Sequence, residues 1–256
     1  MGAEESSEVH FDELGSVEPT AVFARSGLPG LPTKTVACEL WPLFRKRCPR
    51  IAIGARGFED FFGAALELVG HKEGKAESRK EALRRAFESL DFEGRGVLDG
   101  FELFAALALL SRGPLEQKVA FLLGLVDLGG RGRLSRDALG LLLDRACSGM
   151  RRSCSCLLLH FPPDLPQVMA GRVFRGKQAG EEMSFEELGA WWRQDGLVRR
   201  CLQRFAASPE EEADLPDEDA WVWPNDLDVA ASAPVQKATP VVAPVEPAAQ
   251  EVSVAA

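Results

Sequence analysis

Histidine is scarce in this chain: the three residues, at 10, 71 and 160, stand too far apart in sequence to be read as one constellation. No His-Glu-x-x-His, no nucleophile elbow and no glycine loop ending in Lys-Ser/Thr is present, so no enzyme is indicated. No apolar run approaches the ~18 residues of a membrane span, and no charged-then-apolar stretch opens the chain, so the expected location is cytoplasmic. The six cysteines, 38, 48, 147, 154, 156 and 201, make no dense framework, which points to reduced thiols rather than disulfides. A basic excess is also lacking. The net charge is −9, and residues 207–256 alone hold eleven acids against one lysine, leaving residues 1–206 near neutral. Nothing here argues for nucleic acid.

What the chain does have is a twelve-residue pattern at Asp91 to Glu102, DFEGRGVLDGFE. Asp91, Asp99 and Glu102 fall at positions 1, 9 and 12, where a calcium-binding helix–loop–helix needs hard carboxylate oxygens, and Gly96 falls at position 6, where the loop turns sharply. Leu98, at position 8, is the aliphatic that joins such a loop to a neighbour through a short β-bridge. Two positions depart from the pattern: Glu93 at position 3 is one methylene longer than the usual Asp or Asn, and Arg95 at position 5 puts a cation where an oxygen belongs. Either calcium binds here weakly, or Arg95 turns back onto Glu93 or Glu102 and the loop is purely structural.

The same frame recurs. Lys46 to Gly57 has Ile53 at position 8 and no ligand, because positions 1, 3, 5 and 12 are Lys46, Cys48, Arg50 and Gly57. Asp127 to Ala138 starts 36 residues after Asp91, with Gly132 at position 6 and Leu134 at position 8, but Ala138 replaces the closing acid. Gly176 to Glu187 has Met183 at position 8 and Glu187 at position 12, so Glu187 is a weak metal-ligand candidate. Apolar residues at helical spacing flank each loop, with Phe58, Phe61 and Phe62 after the first, Leu103, Phe104 and Leu107 after the second, and Trp191 and Trp192 after the fourth. A charged connector is expected over His71 to Lys80, Pro114 marks a helix start, and Pro42 has to sit in a first helical turn.

The run from about Val36 to Phe205, two-thirds of the chain, resembles the neuronal calcium sensor and calcineurin B-like branch of the EF-hand superfamily. The features that carry the resemblance are Cys48-Pro49 in a disabled first loop, the 49-residue interval between loop starts 127 and 176, and the segment MSFEELGAWWRQDGLVRRCLQRF running into a C-terminal helix. The resemblance implies an all-α fold of two EF-hand pairs, with short β-bridges between paired loops and a last helix. It also implies calcium as the cofactor, held by Asp91, Glu93, Asp99 and Glu102, and a groove that takes an amphipathic helix of a protein partner. Phe58, Phe61, Phe62, Trp191 and Trp192 are the groove candidates.

The expected organisation is an irregular N-terminal arm over 1–35, a first hand pair over 36–111 with loops 46–57 and 91–102, a second pair over 112–206 with loops 127–138 and 176–187, and a disordered tail over 207–256. The start MGAEES fits the pattern for myristoylation of Gly2, and a membrane partner is expected only if Gly2 is acylated. Cys147, Cys154, Cys156 and His160 crowd fourteen residues, as free thiols or, less in keeping with zinc-site spacing, as metal ligands. The acidic tail carries Trp221-Val-Trp223, either a docking motif or a solvated segment. The function expected is a regulatory or adaptor protein; the alternatives are a calcium-independent structural subunit, or a regulatory subunit of a phosphatase or kinase on another chain.

Overall fold

The computed structural model describes residues 17–68, 76–154, 163–178, 180–203 and 205; Gly2, Cys156, His160 and the tail bearing Trp221 and Trp223 lie outside them. Four three-residue strands organise the rest, and each is centred on the aliphatic at position 8 of its loop. β1 (Ala52–Gly54) pairs antiparallel with β2 (Val97–Asp99), Ile53 opposite Leu98, and β3 (Arg133–Ser135) pairs with β4 (Glu182–Ser184), Leu134 opposite Met183. The central side chain of each strand is buried while its neighbours are less so, the period-two signature of a pleated segment. The fold is therefore all-α with two bridged EF-hand pairs, as the loop spacing implies.

Gly96 and Gly132 take φ of 72° and 64° at position 6, a left-handed backbone that strains other side chains. The first loop makes this turn with Ile51 at φ 51°, unusual for a β-branched residue. It is held there because Gly100 donates its N–H to the Ile51 carbonyl at 2.8 Å, and because the Ile51 side chain fills space that any Cβ on Gly100 would need.

α2 (Trp41–Arg47) carries Pro42 in its first turn and follows a π-helical segment, Thr35–Leu40. The wider winding fits a proline ring that conflicts with the carbonyl four residues back. α3 (Ala55–Leu68) and α4 (Ala76–Leu90) lie side by side. The expected charged connector is shorter than its composition suggests, because residues 76–80 are already helix; the charges of α4 pair along it, Arg84 with Glu81 at 2.7 Å and with Glu88, and Arg85 with Glu81 at 2.7 Å. α5 (Gly100–Leu110) is apolar nearly all round and buried from Glu102 to Leu109, so it is the central helix. α6 (Leu115–Val126) starts after Pro114, and α7 (Arg136–Ser153), α8 (Leu165–Val173), α9 (Phe185–Gln194) and α10 (Gly196–Gln203) complete the second pair.

Two expectations need correction. Residues 17–35 are not an irregular arm but a strap folded across both hand pairs. It contains α1 (Ala21–Ala24) and a 3₁₀ turn, Leu28–Gly30, and it buries Phe23, Leu28 and Leu31. Thr20 donates its N–H to the Ser153 carbonyl at 2.7 Å, Thr33 donates to the Arg112 carbonyl at 2.8 Å, and Pro19 bridges Cys154. Three apolar anchors without a period give no helical signal, yet all three are buried in the core. Phe58, Phe61 and Phe62, expected in the groove, are core residues. Phe44 meets Phe61 at 5.6 Å and Phe104 at 4.9 Å between ring centroids, and Trp41 lies 5.0 Å from Phe104, so α2 and α5 already cover the aromatic face of α3.

Candidate functional site

Asp91 begins the second loop at the end of α4, and its two carboxylate oxygens accept the N–H groups of Arg95 at 2.9 Å and Gly96 at 2.7 Å. This is the turn-closing role that a first-position aspartate has by itself. Asp99 caps α5, its Oδ1 accepting from the N–H of Phe101 at 2.8 Å and Glu102 at 3.1 Å. Arg95 does fold back: its Nε lies 2.9 Å from Glu93. Thus three of the four candidate ligands have partners inside the loop.

Glu102 finds its partners elsewhere. It is buried, and both carboxylate oxygens face guanidinium groups from α7: Arg145 at 2.8 Å on Oε1 and Arg152 at 3.3 Å on Oε2. Arg145 also lies 3.7 Å from Asp99, and Arg152 3.2 Å from Glu93. Arg152 further donates to the Leu90 carbonyl at 3.2 Å, satisfying the C-terminal end of α4, and stacks 5.0 Å from the centre of the Phe92 ring. The Arg145 guanidinium is held above its ordinary pKa. Burial works against its charge, but the hydrogen bond to Glu102 and the fields of Asp99, Glu102 and Asp144 outweigh it.

The geometry that permits this is a close crossing. Gly149 of α7 rests on the main chain of Glu102, where a Cβ would collide with the carbonyl oxygen. Arg145 and Arg152 sit one turn to either side of it on the same stripe. Neither arginine is detectable by reading the loop alone. The available signal is cations beside Leu142, Gly149 and Ser153, on the stripe of α7 that the helical period turns inward.

Four carboxylates around one loop have the chemistry of a calcium site. In this arrangement they do not fit one, because guanidinium groups engage both oxygens of Glu102 and both of Glu93, and a metal ion would have to displace them. Among the described residues no cluster of three or more acids, cysteines or histidines is arranged to hold a metal.

The remaining loops repeat the substitution of a side-chain cation. In the third, Asp127 accepts from the N–H of Arg131 at 3.0 Å and of Gly132 at 2.6 Å, while the Arg131 side chain reaches Glu182 of the fourth loop at 2.9 Å. In the fourth, Lys177 pairs with Glu181 at 2.9 Å and lies 3.6 Å from Glu187. Glu187 is the acid of a capping box: it accepts from the Ser184 N–H at 2.8 Å, and its own N–H donates to Ser184 Oγ at 3.1 Å. The N–H of Ser184 first, and Lys177 with it, holds the Glu187 carboxyl below its ordinary pKa. Cys147 is pushed up to about 11 by burial, against the pull of Arg151, and Cys154 is buried beside the strap.

An open cavity lies in the second pair. A cavity of about 740 Å³ lies between α6, α9 and α10, walled by Leu115, Val119, Leu123, Phe185, Trp192 and Leu202. Arg193 and Arg199 share its lining with Glu116 and Glu186. Trp192 thus lines this cavity, while Trp191 is half-buried and packs against the core. Lys118 of α6, itself buried, donates to the carbonyls of Leu109 at 3.1 Å and Phe205 at 2.6 Å, which ties the segment after α10 to α6. Among the described residues no helix is long and apolar enough to cross a membrane.

No protein-family model matches the chain. It is 29% identical over 103 residues to guanylyl cyclase-activating protein 1 of Gallus gallus, a match covering 40% of this chain and 48% of the relative. Guanylyl cyclase-activating protein 2 of Gallus gallus is 25% identical over 180 residues, 68% of this chain and 86% of that protein. The guanylyl cyclase inhibitory protein of Lithobates pipiens is 26% identical over 174 residues, 66% of this chain and 79% of the relative. The chain spans about half the length of the activating protein 1 relatives it matches. At 25–29% identity, the chain is similar to guanylyl cyclase-activating proteins, which are EF-hand proteins of the neuronal calcium sensor group.

Proposed function

We propose that the protein is an EF-hand regulatory adaptor that takes an amphipathic helix of a protein partner into the groove between α6, α9 and α10. Calcium reaches Asp91, Glu93, Asp99 and Glu102 only weakly, in competition with the guanidinium groups that engage Glu102, and Glu187 serves as a helix cap. The observation that carries this reading is the 740 Å³ cavity with Val119, Leu123 and Trp192 on its walls. Its volume is in the range of ligand-binding clefts, and an apolar floor with charges at the edge suits a helix presenting anchors at i, i+3 or i+4, and i+7. The opposed charges of Arg193 and Arg199 against Glu116 and Glu186 would set the direction in which that helix lies. The names of the relatives supply the first partner to try, a guanylyl cyclase, since they describe activation in some and inhibition in another. The protein brings no chemistry of its own to this role. Acylation of Gly2 would add a membrane anchor to the same adaptor.

The test is to add the full chain to a guanylyl cyclase and follow the cyclic GMP formed, with calcium and with a chelator, beside the Val119→Glu variant. A change in rate that Val119→Glu removes is the expected result. No change at either calcium level overturns the choice of partner, and an effect that survives Val119→Glu overturns the groove. A second reading, a calcium-independent subunit, is favoured by the arginine pairing at Glu102; an effect of equal size with calcium and with chelator selects it.

A further inference from the structure

We propose that Arg145 and Arg152 act as a built-in cation for the 91–102 loop, a guanidinium latch that occupies the carboxylate oxygens a metal would need and fastens the second hand pair onto the first. The latch and a metal ion exclude each other. Three observations converge on this. Both oxygens of the buried Glu102 are engaged, by Arg145 at 2.8 Å and Arg152 at 3.3 Å, and each arginine reaches a further acid of the loop, Asp99 at 3.7 Å or Glu93 at 3.2 Å. The side chains of Arg152 and Glu102 are each 8% exposed, so this is a desolvated pair in which neither charge is left to water. Finally, the space remaining between Asp99, Glu102, Gly149 and Arg152 is about 10 Å³, at the threshold for one water.

The latch has a structural reach that a metal at this loop would lack. A metal closes one loop on itself, whereas Arg145 and Arg152 belong to α7, the helix that leaves the third loop. Arg152 joins the end of α4, the loop and the start of α5 in a single contact set, through the Leu90 carbonyl, Glu93, the Phe92 ring and Glu102. Opening the loop to a metal therefore means withdrawing both guanidinium groups from Glu102, and with Arg152 the contacts that join α7 to the end of α4. The inference does not depend on what fills the groove, and it would stand if the cyclase experiment failed.

The test uses the full chain and calcium chloride as the probe, with thermal unfolding as the readout. The unaltered protein is expected to show the same Tm with chelator and with millimolar calcium. The double variant Arg145→Gln/Arg152→Gln is expected to unfold on the order of 5 °C lower or more with chelator and to recover part of that loss with calcium, a recovery that adding Glu102→Gln abolishes. Arg145→Gln alone, at a side chain one-third exposed, guards against failure to fold and is expected to give a smaller gain of the same sign. A calcium-induced rise in the unaltered protein as large as in the variants overturns the latch. So does a calcium response that is absent from every arginine variant.

Discussion

Gly149 lies against the main-chain carbonyl of Glu102 with no room for even a methyl group between α7 and α5. Gly149→Ala is expected to force the two helices apart and lower stability by about 1–3 kcal/mol, the usual cost of overpacking, with the loss read from urea denaturation. A value indistinguishable from zero would mean that the crossing relaxes freely and that glycine is not required there.

Lys118 is a buried lysine whose ammonium group donates to the main-chain carbonyls of Leu109 and Phe205. Lys118→Met keeps the stem and removes the donor, so the segment ending at Phe205 is expected to loosen over the groove. A stability loss of about 1.5–3 kcal/mol is typical for hydrogen bonds from a charged group, accompanied by stronger binding of a fluorescent apolar dye. Unchanged dye fluorescence would show that Lys118 does not hold that segment in place.

Phe23 is wholly buried although it stands in a stretch without a sustained apolar period. Phe23→Ala is expected to cost about 3–5 kcal/mol, as for other core phenylalanines. If chemical denaturation gives less than about 1 kcal/mol, well under that range, the strap is dispensable to the folded body.

Acid pH should weaken α4. Arg84 and then Arg85, through hydrogen bonds to Glu81, hold its carboxyl near 2, below its ordinary 4.5. The folded state thus binds the proton less readily, so the contribution is present in full above pH 4.5 and disappears as the pH falls towards 2. Glu81→Gln should lower Tm near neutral pH, leave it unchanged at pH 2, and have less effect in about 1 M salt, where exposed charges are screened. A mutant effect that does not vary with pH would contradict the pairing.

Much of the framework could be read from residue spacing. The four apolar residues at position 8 meet in two pairs, Ile53 with Leu98 and Leu134 with Met183, because loops of one length, each turned through a left-handed residue at Ile51, Gly96, Gly132 or Gly180, leave the backbone little choice. Pro114 marks a helix start through chemistry local to a few residues. The strap was not legible, since Phe23, Leu28 and Leu31 answer to distant surfaces rather than to a period of their own. Nor were Arg145 and Arg152: Glu102 looks like a metal ligand from its own loop, and only the packing of α7 on α5 reveals another claimant for its oxygens. The aromatic stripe of α3 had the right amphipathicity but an ambiguous partner, and Trp41, Phe44 and Phe104 settle it as core.

The strap ties the front of the chain to a point made much later, through Thr20 to Ser153 and Pro19 to Cys154. During synthesis at the ribosome, Pro19 and Thr20 emerge long before the helix end to which they bond. The start of the strap must therefore wait for α7 before it can close. This raises the contact order of an otherwise locally wired helical protein, and docking of the strap is expected to be among its slower folding events.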